Sequence, residues 1–539
     1  MPIGASLHAL ETVILLLLLV VAAFAVIAYR LKVPYPIVLV VAGLLISFVP
    51  HMPRIPLDPS LVFLIFLPPL LYSAAWTTSW REFRHNLVLI SLLAIGLVGF
   101  TVWGVAEFSE HFITALDWKS GFLLGAVVAT TDAIAATSIA HAIGLPRRIV
   151  DILEGESLLN DATGLLALEL GVGIIMQGEA PSIGGGILRL LYLIVGGIGI
   201  GLLIGVLVGW LENFIDNGPI EIVVSLVVPY AAYLAGEHVR ASGVLAVVTC
   251  GLYLSRKSAT FFSPGVRIQV LAVWDALNFI LNGIVFVLIG LQLPYVLAGI
   301  RGAYGLRTLI EYGAIFSVIL IALRMIWVFP AVKIASSIRR WTGHMEKQPQ
   351  PREIFVIGWT GMRGVLALAA AISVPVMLAS GAPFASRNLI VFLAFCVILV
   401  TLVVQGLTLP SLIRILGLAG ATGMSEEEVE ARRIALEEAI SYLEEGRKQR
   451  GDAFFHAFDD LLDRYEHRLA LVKTGHDENS EKNGTGTYRQ VIEVAEGAVR
   501  AERRAIIRLR DEGRISDDVL RTMERELDLE ESRYQVAKL

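Results

Sequence analysis

Cysteine is nearly absent: the 539 residues contain two, Cys250 and Cys396, both in apolar stretches. Two such residues build no disulfide framework, and neither sits in a Cys-x-x-Cys or Cys-x-x-His spacing that would hold a metal. Charge is scarce too: 17% of residues are Asp, Glu, Lys or Arg, against 55% hydrophobic. Soluble domains carry about 25% charged and about 45–50% apolar residues, so a large soluble enzyme is excluded. No basic run stands clear of acids, which leaves nucleic-acid binding without a footprint. Gly-x-Ser-x-Gly and His-Glu-x-x-His motifs are missing, and of ten histidines only His141 and His238 approach predicted helix ends. A membrane-embedded enzyme would need a nucleophile–base pair or a metal cluster. Neither is legible, and no cofactor is implied.

The charge that exists is concentrated. From Ser425 to Leu539 fall 28 of the 49 acids and 20 of the 44 Lys and Arg. The net charge of −5 therefore divides into roughly +3 for the first 424 residues and −8 for the rest. This pattern is that of a polytopic membrane domain, residues 1–419, followed by a charged, helical, cytosolic tail, residues 420–539. The first apolar run, 13–29, is longer than a signal-peptide core and has no small-residue cleavage site after it, so it reads as a span.

In the tail, Ser425 with Glu428 forms a capping-box pattern. Phe454, Phe458, Leu461, Leu462, Tyr465 and Leu469 follow at helical spacing. The polar, Gly-containing stretch 474–487 reads as a loop. Helices are expected at 490–510 and, capped by Ser516, at 517–532. A small bundle with solvated charges accounts for these features; a regulatory role is the other reading.

Thirteen apolar segments are long enough to span about 30 Å of hydrocarbon. They are 13–29, 36–49, 61–76, 87–105, 121–140, 149–176, 190–210, 222–235, 241–254, 270–293, 312–334, 354–378 and 389–416. An odd number puts the termini on opposite sides. With the tail inside, the inner loops hold fourteen Lys and Arg and the outer loops seven, as the positive-inside rule requires. Thirteen segments also permit two six-segment repeats, 1–6 and 8–13, whose members are seven apart and so inverted. Secondary transporters commonly place their site where such repeats meet.

An ionisable group inside a membrane segment costs about 2.5–3.5 kcal/mol even on mild insertion scales, which makes it a functional candidate. Asp132, Glu156, Asp161, Glu169, Asp275, Arg324 and Arg363 lie deep in the predicted segments. Segment 6 reads Glu154-Gly-Glu-Ser-Leu-Leu-Asn-Asp-Ala-Thr-Gly164. On a helix Ser157, Asp161 and Gly164 share one stripe, and Glu156, Asn160 and Thr163 share the next. One stripe can face an aqueous cavity while the other pairs with a neighbouring helix. On the duller reading both acids merely neutralise arginines, but two arginines do not serve three acids.

Segment 5 contains Ala129-Thr-Thr-Asp132-Ala-Ile-Ala-Ala-Thr-Ser138. Threonine and aspartate compete for backbone groups and suit a helix that breaks and restarts, with Asp132 capping the second half. Segment 12 contains Gly358-Trp-Thr-Gly-Met-Arg363-Gly. Glycines around a buried arginine suggest a second broken helix, with Arg363 set against the negative ends of helix dipoles. Segments 5 and 12 hold equivalent places in the two repeats.

These residues resemble a known family, the monovalent cation/proton antiporters of the sodium/proton exchanger type, in the branch with an Asn-Asp pair. The matching pieces are Leu67-Pro-Pro-Leu-Leu71, Thr131-Asp132, Glu154-Gly-Glu-Ser-Leu-Leu-Asn-Asp161, Ser242-Gly-Val-Leu-Ala-Val-Val248, Leu288-Ile-Gly-Leu291, Ala322-Leu-Arg324 and Gly361-Met-Arg-Gly364. The resemblance implies thirteen helices, a dimerisation domain in a homodimer, and a mobile core with crossed broken helices. It implies that Asp161 binds either cation or proton. Ser157, the backbone at Thr131 and, through water, Asp132 would help coordinate the cation. Asn160 stands where electrogenic relatives carry a second Asp, and Glu156 with Arg324 matches a structural ion pair. After the Pro-Pro motif the family often has an acid where this chain has Ser73, which bears on the choice among Na⁺, Li⁺ and K⁺.

The implied mechanism is competition. A free carboxylate has a pKa near 4, and burial can raise such a group by up to about 3–5 units, which lets protons and cations exchange near neutral pH. One carboxylate carrying either one proton or one monovalent cation moves no net charge per cycle. The resemblance therefore implies 1:1, electroneutral exchange, with Na⁺ the first expectation and a K⁺/H⁺ antiporter the alternative. A channel fits the hydropathy equally well, but competing occupancy of one carboxylate calls for alternating access.

Overall fold

The structure, a computed structural model, describes residues 3–49, 59–113, 115–177, 183–215, 217–300, 304–341, 349–420, 426–450, 455–474, 485–515 and 517–538. The chain divides into two compact units, Met1–Ala421 and Thr422–Leu539. Among the described residues every regular element is helical, and one isolated bridge joins Met377 to Pro383.

The first unit opens with α1 (Ile3–Leu31) and α2 (Tyr35–Ile46), followed by α3 (Pro59–Ile65) and α4 (Leu67–Thr77). Next, α5 (Trp80–Ser91) and α6 (Val98–Phe112) are joined by a π-helical turn at Leu92–Leu97. The short α7 (Trp118–Val127) and α8 (Ala133–Ile143) precede the long α9 (Arg147–Gln177) and α10 (Ile183–Glu212). Then come α11 (Gly218–His238), α12 (Gly243–Phe261), α13 (Pro264–Leu291), α14 (Leu293–Ile300) and α15 (Leu306–Trp341). The unit closes with α16 (Pro351–Trp359), α17 (Val365–Ser373), α18 (Arg387–Val400) and α19 (Gly406–Ile415), the last two joined by a π-helical turn at Thr401–Gln405.

Local chemistry fixes many of these starts. Proline, whose missing N–H costs nothing in a first turn, opens α2, α4, α13 and α16. Side chains of Asp117, Asn217 and Ser242 accept backbone N–H groups at the starts of α7, α11 and α12. Gly144, in the left-handed region at φ 73°, ends α8.

Among the described residues, nine helical stretches are long and apolar enough to cross a bilayer. Of the thirteen segments expected from hydropathy four fall outside that number: segment 9, on α12, and three that are short or divided. α2 has only 12 residues. Segments 5 and 12 are each divided, into α7 and α8 with 10 and 11 residues and α16 and α17 with 9 each. Ten helical residues rise about 15 Å, half of the hydrocarbon layer.

One apolar core gathers Leu123, Ile152, Phe286, Phe316, Leu368 and Phe395 from six helices, and a second joins Leu71, Tyr72, Val247, Cys250 and Trp274. Large side chains of α1 and α10, such as Leu15, Leu19, Leu188 and Val195, point outward, as on a helix solvated by lipid.

Among the described residues the second unit has four helices. α20 (Glu426–Arg450) packs on α21 (Phe455–Thr474), with Phe458 against Gly446 and Arg447 paired to Asp459 at 3.1 Å. α22 (Thr485–Asp511) packs on α23 (Asp517–Lys538) through Val499, Ile506, Leu520 and Leu527. Arg503 reaches Asp528 at 2.7 Å and Glu531 at 2.8 Å across that pair. The expected caps Ser425 and Ser516, together with Phe454, lie outside the described residues. α22 starts at Thr485, inside the stretch read as loop, and α23 runs past 532 to Lys538. Pairs one turn apart, such as Tyr534 with Glu530 at 3.0 Å, carry α23 further than its apolar pattern does.

Candidate functional site

Residues 128–132 break segment 5 between α7 and α8, and residues 360–364 break segment 12 between α16 and α17. The two breaks touch: Asp132 N–H donates to the carbonyl of Met362 at 2.8 Å. Gly364 is glycine for a steric reason, since a Cβ there would stand 2.0 Å from Asp132 Oδ2. Gly361 is similarly pressed, with a Cβ meeting Arg324 Cδ at 2.3 Å.

Each break exposes helix ends, and charged side chains answer them with the matching sign. Arg363 donates to the carbonyls of Ala129 at 2.7 Å and Thr130 at 2.8 Å, just beyond the C-terminal end of α7. Its own backbone N–H is held by Thr401 Oγ1 at 3.1 Å, on the π-helical turn. Arg324 donates to the carbonyls of Gly358 at 3.2 Å and Ile357 at 3.0 Å, the C-terminal end of α16. Guanidinium groups are favourable at these negative ends. Asp132 takes the positive end of α8, accepting from Ile134 N–H at 2.8 Å.

α9 runs beside the crossing and ties into it. Arg324 forms a two-pronged pair with Glu156, at 2.5 Å and 2.9 Å. Thr131 Oγ1 donates to Glu156 Oε1 at 3.1 Å and accepts from Asn160 Nδ2 at 2.5 Å. Ser157 Oγ donates to the Thr131 carbonyl at 3.0 Å and accepts from Ala133 N–H at 3.4 Å. Thr163 Oγ1 donates to the carbonyl of Ala94 at 2.5 Å, within the first π-helical turn. The stripe of Glu156, Asn160 and Thr163 thus pairs with neighbours throughout, and on the adjacent stripe Ser157 does so as well.

Asp161 takes part in none of these hydrogen bonds. It is 4% exposed. Among the described residues its Oδ1 has no hydrogen-bond partner. The cluster holds two guanidinium groups, Arg324 and Arg363, against three carboxylates, Asp132, Glu156 and Asp161. With all five ionised it is one positive charge short of neutral, and both arginines are already committed to helix ends or to Glu156. A buried charge needs compensation, so this site favours a bound cation or a proton.

Two of the seven deep ionisable groups do not belong here. Glu169 is exposed and pairs with Arg189 at 3.3 Å, and Asp275 is exposed on α13. Hydropathy locates a residue along a segment but not around it, so both were counted as interior. Ser73 sits on α4 and accepts from Asn278 Nδ2 of α13. His238 is exposed in the last turn of α11, and the His141 side chain lies outside the described residues. Among the described residues no group of three His, Cys, Asp or Glu side chains could hold a metal ion, and both cysteines are free. Sequence reasoning missed the hub role of Thr131 and the partners Thr401 and Ala94. A single threonine hydroxyl has no pattern that distinguishes a hub from a surface group.

Broken helices with ion-compensated ends inside a multi-pass bundle define a membrane transporter of small ions. Comparison with known proteins gives the particular family. Residues 14–415 match the model of the transmembrane sodium/hydrogen exchanger family, and the chain belongs to that family of cation/proton antiporters. An uncharacterized Na⁺/H⁺ exchanger of Mycobacterium tuberculosis is 33% identical over 528 residues, covering 96% of this chain and 95% of that protein. A sodium, potassium, lithium and rubidium/H⁺ antiporter of Bacillus pumilus is 30% identical, covering 93% of this chain and 74% of that protein. Among solved structures, the sodium proton antiporter MjNhaP1 of Methanocaldococcus jannaschii has the same fold, with a TM-score of 0.57, 20% identity, and coverage of 76% of this chain and 99% of that one.

Proposed function

We propose that this antiporter exchanges Na⁺ for H⁺ at Asp161 by alternating access, one for one and without net charge movement, in pH and sodium homeostasis. The observation that carries the reading is the buried Asp161 Oδ1 without a hydrogen-bond partner, in a cluster one positive charge short. A proton or a monovalent cation supplies that charge equally, and the two compete for the same carboxylate. In this reading Ser157, Thr131 and Asp132 supply further oxygen ligands, and Asn160, an amide that carries no charge, donates to Thr131. Glu156, Arg324 and Arg363 keep the broken helices in register. In this reading the chain crosses the membrane thirteen times as two inverted six-helix repeats and works as a homodimer in the cell membrane, with its tail in the cytoplasm.

K⁺ is the second reading. It is favoured by the neutral Ser73, where the family pattern has an acid, and by the potassium named for the Bacillus pumilus relative. Everted vesicles carrying an imposed pH gradient separate the readings. Na⁺ is expected to dissipate the gradient at the lowest concentration, and a lower half-effective K⁺ concentration would overturn the Na⁺ assignment.

Among the described residues the tail contributes no helix long and apolar enough to cross a membrane, and Val499, Ile506, Leu520 and Leu527 are buried within its own helix pair. Truncation after Gly423 is expected to leave exchange activity with a shifted pH or affinity profile. Complete loss of exchange in a correctly inserted truncation would refute a purely modulatory tail.

A further inference from the structure

Arg189 stands where two groups of helices meet. α9 carries Asp161 and packs with α5, α7 and α8, beside the broken helices. α10 packs instead on α12 and α11. An ion pair joins the two groups, from Arg189 Nη2 of α10 to Glu169 Oε1 of α9 at 3.3 Å. Glu169 follows Asp161 by eight residues, about 12 Å further along the same helix.

Arg189 is anchored on the α10–α12 side independently of Glu169. Its Nη1 donates to the carbonyl of Arg240 at 3.0 Å, and its guanidinium lies 5.9 Å from the centre of the Tyr192 ring. Tyr192 Oη in turn donates to the carbonyl of Val239 at 2.7 Å. Both carbonyls belong to the corner between α11 and α12, where Arg240 has a φ of 55°. A residue with a Cβ is disfavoured in that left-handed region, so the corner needs outside support, and these two side chains supply it. A second carboxylate is also in range. Glu237 of α11 interacts electrostatically with both Glu169 and Arg189, and its Oε1 accepts from Gly243 N–H at 3.3 Å. One guanidinium thus serves two carboxylates, one on each group of helices.

Burial along α9 shows which end the ion pair closes. On the stripe through Asp161, Glu154 and Ser157 are half-buried, whereas Gly164 and Leu168, nearer Glu169, are buried. Alternating access requires that closed end to open, which separates α9 from α10 and Glu169 from Arg189. Arg189 lies within a helical span, where a charge is costly without a partner. Glu237 is placed to take over the guanidinium that Glu169 leaves.

We infer that Arg189 is a latch: it holds α9 through Glu169 while that end is closed, and passes to Glu237 when the end opens. Arg189 and Glu169 are positioning residues that set the balance between the two access states and do not bind the cation. The inference rests on alternating access at Asp161.

The test measures exchange in everted and right-side-out vesicles, with the full chain and whichever of Na⁺ or K⁺ the wild type exchanges. Glu169→Gln removes the latch and keeps the side chain's size. The half-saturating cation concentration should then rise on the face where α9 begins and fall on the face where it ends. Their ratio is expected to change about twofold to fivefold, the reach of one partly exposed ion pair. Glu237→Gln removes the second partner and should move the ratio the other way. A merely structural role moves both faces together, so parallel or absent shifts in Glu169→Gln overturn the latch. A Glu237→Gln ratio that stays put or follows Glu169→Gln overturns the change of partner. A short, reducible bifunctional thiol reagent on Glu169→Cys/Arg189→Cys should stop exchange, with recovery on reduction, while wild type and each single variant stay active. Continued exchange in the linked protein also overturns the inference, because the two helices then need not part. An inactive wild type would instead remove the exchange assignment beneath it.

Discussion

Asp161→Asn is expected to reduce cation/proton exchange to the background of empty vesicles while leaving the amount of folded protein near wild type. Asparagine keeps the size and hydrogen-bonding capacity of aspartate but neither titrates nor attracts a cation. The substitution also removes the charge that leaves the cluster one positive charge short, so the folded state loses no ion pair. A ligand that binds only the native state stabilises it, by about 2.7 kcal/mol at 100 times Kd. Na⁺ should therefore raise the unfolding midpoint of the wild type and leave that of the variant unchanged. The wild-type effect should fade as pH falls, because the proton takes the same oxygens. Asp161→Glu keeps the charge and is expected to exchange weakly with altered cation affinity. Proton-coupled Na⁺ or K⁺ flux near wild-type rates in the Asn variant would rule Asp161 out.

Much of this site was legible because burying charge in a membrane is expensive enough to leave few innocent explanations. Arg363 between two glycines marked a backbone break, and its guanidinium meets the carbonyls of Ala129 and Thr130. Asp132 after two threonines marked a helix restart, and it accepts from Ile134 N–H. What the one-dimensional pattern omits is direction. Glu169 and Asp275 carry the same hydropathy penalty as Asp161 yet face outward.

The two π-helical turns were not legible for a different reason. An inserted residue alters hydrogen bonding without altering apolar content, so segments 4 and 13 look ordinary in sequence. In the structure they matter to the site. The first frees the carbonyls of Leu92 and Ala94 for Trp327 Nε1–H at 3.0 Å and Thr163 Oγ1–H at 2.5 Å. The second carries Thr401, which holds the Arg363 backbone. The second turn thus lends a group to a broken helix and the first anchors α9 and α15 beside it, and neither turn carries a charge.

Glu156→Gln is expected to destabilise the transmembrane unit by about 3–5 kcal/mol, the cost of leaving one member of a buried ion pair uncompensated. Glutamine still offers Thr131 an acceptor, so that hydrogen bond survives. It cannot neutralise Arg324, which is 2% exposed and retains only the carbonyls of Ile357 and Gly358. Arg324→Gln is expected to be at least as severe, because it strands Glu156 and also uncaps the C-terminal end of α16. The double variant, with both charges gone, should recover part of the loss, since two neutral amides leave no buried charge behind. The measurement is the unfolding midpoint of detergent-solubilised protein, read together with the amount of folded protein in the membrane. Single variants as stable as wild type, or a double variant whose loss equals the sum of the singles, would show that the two side chains do not act as a pair.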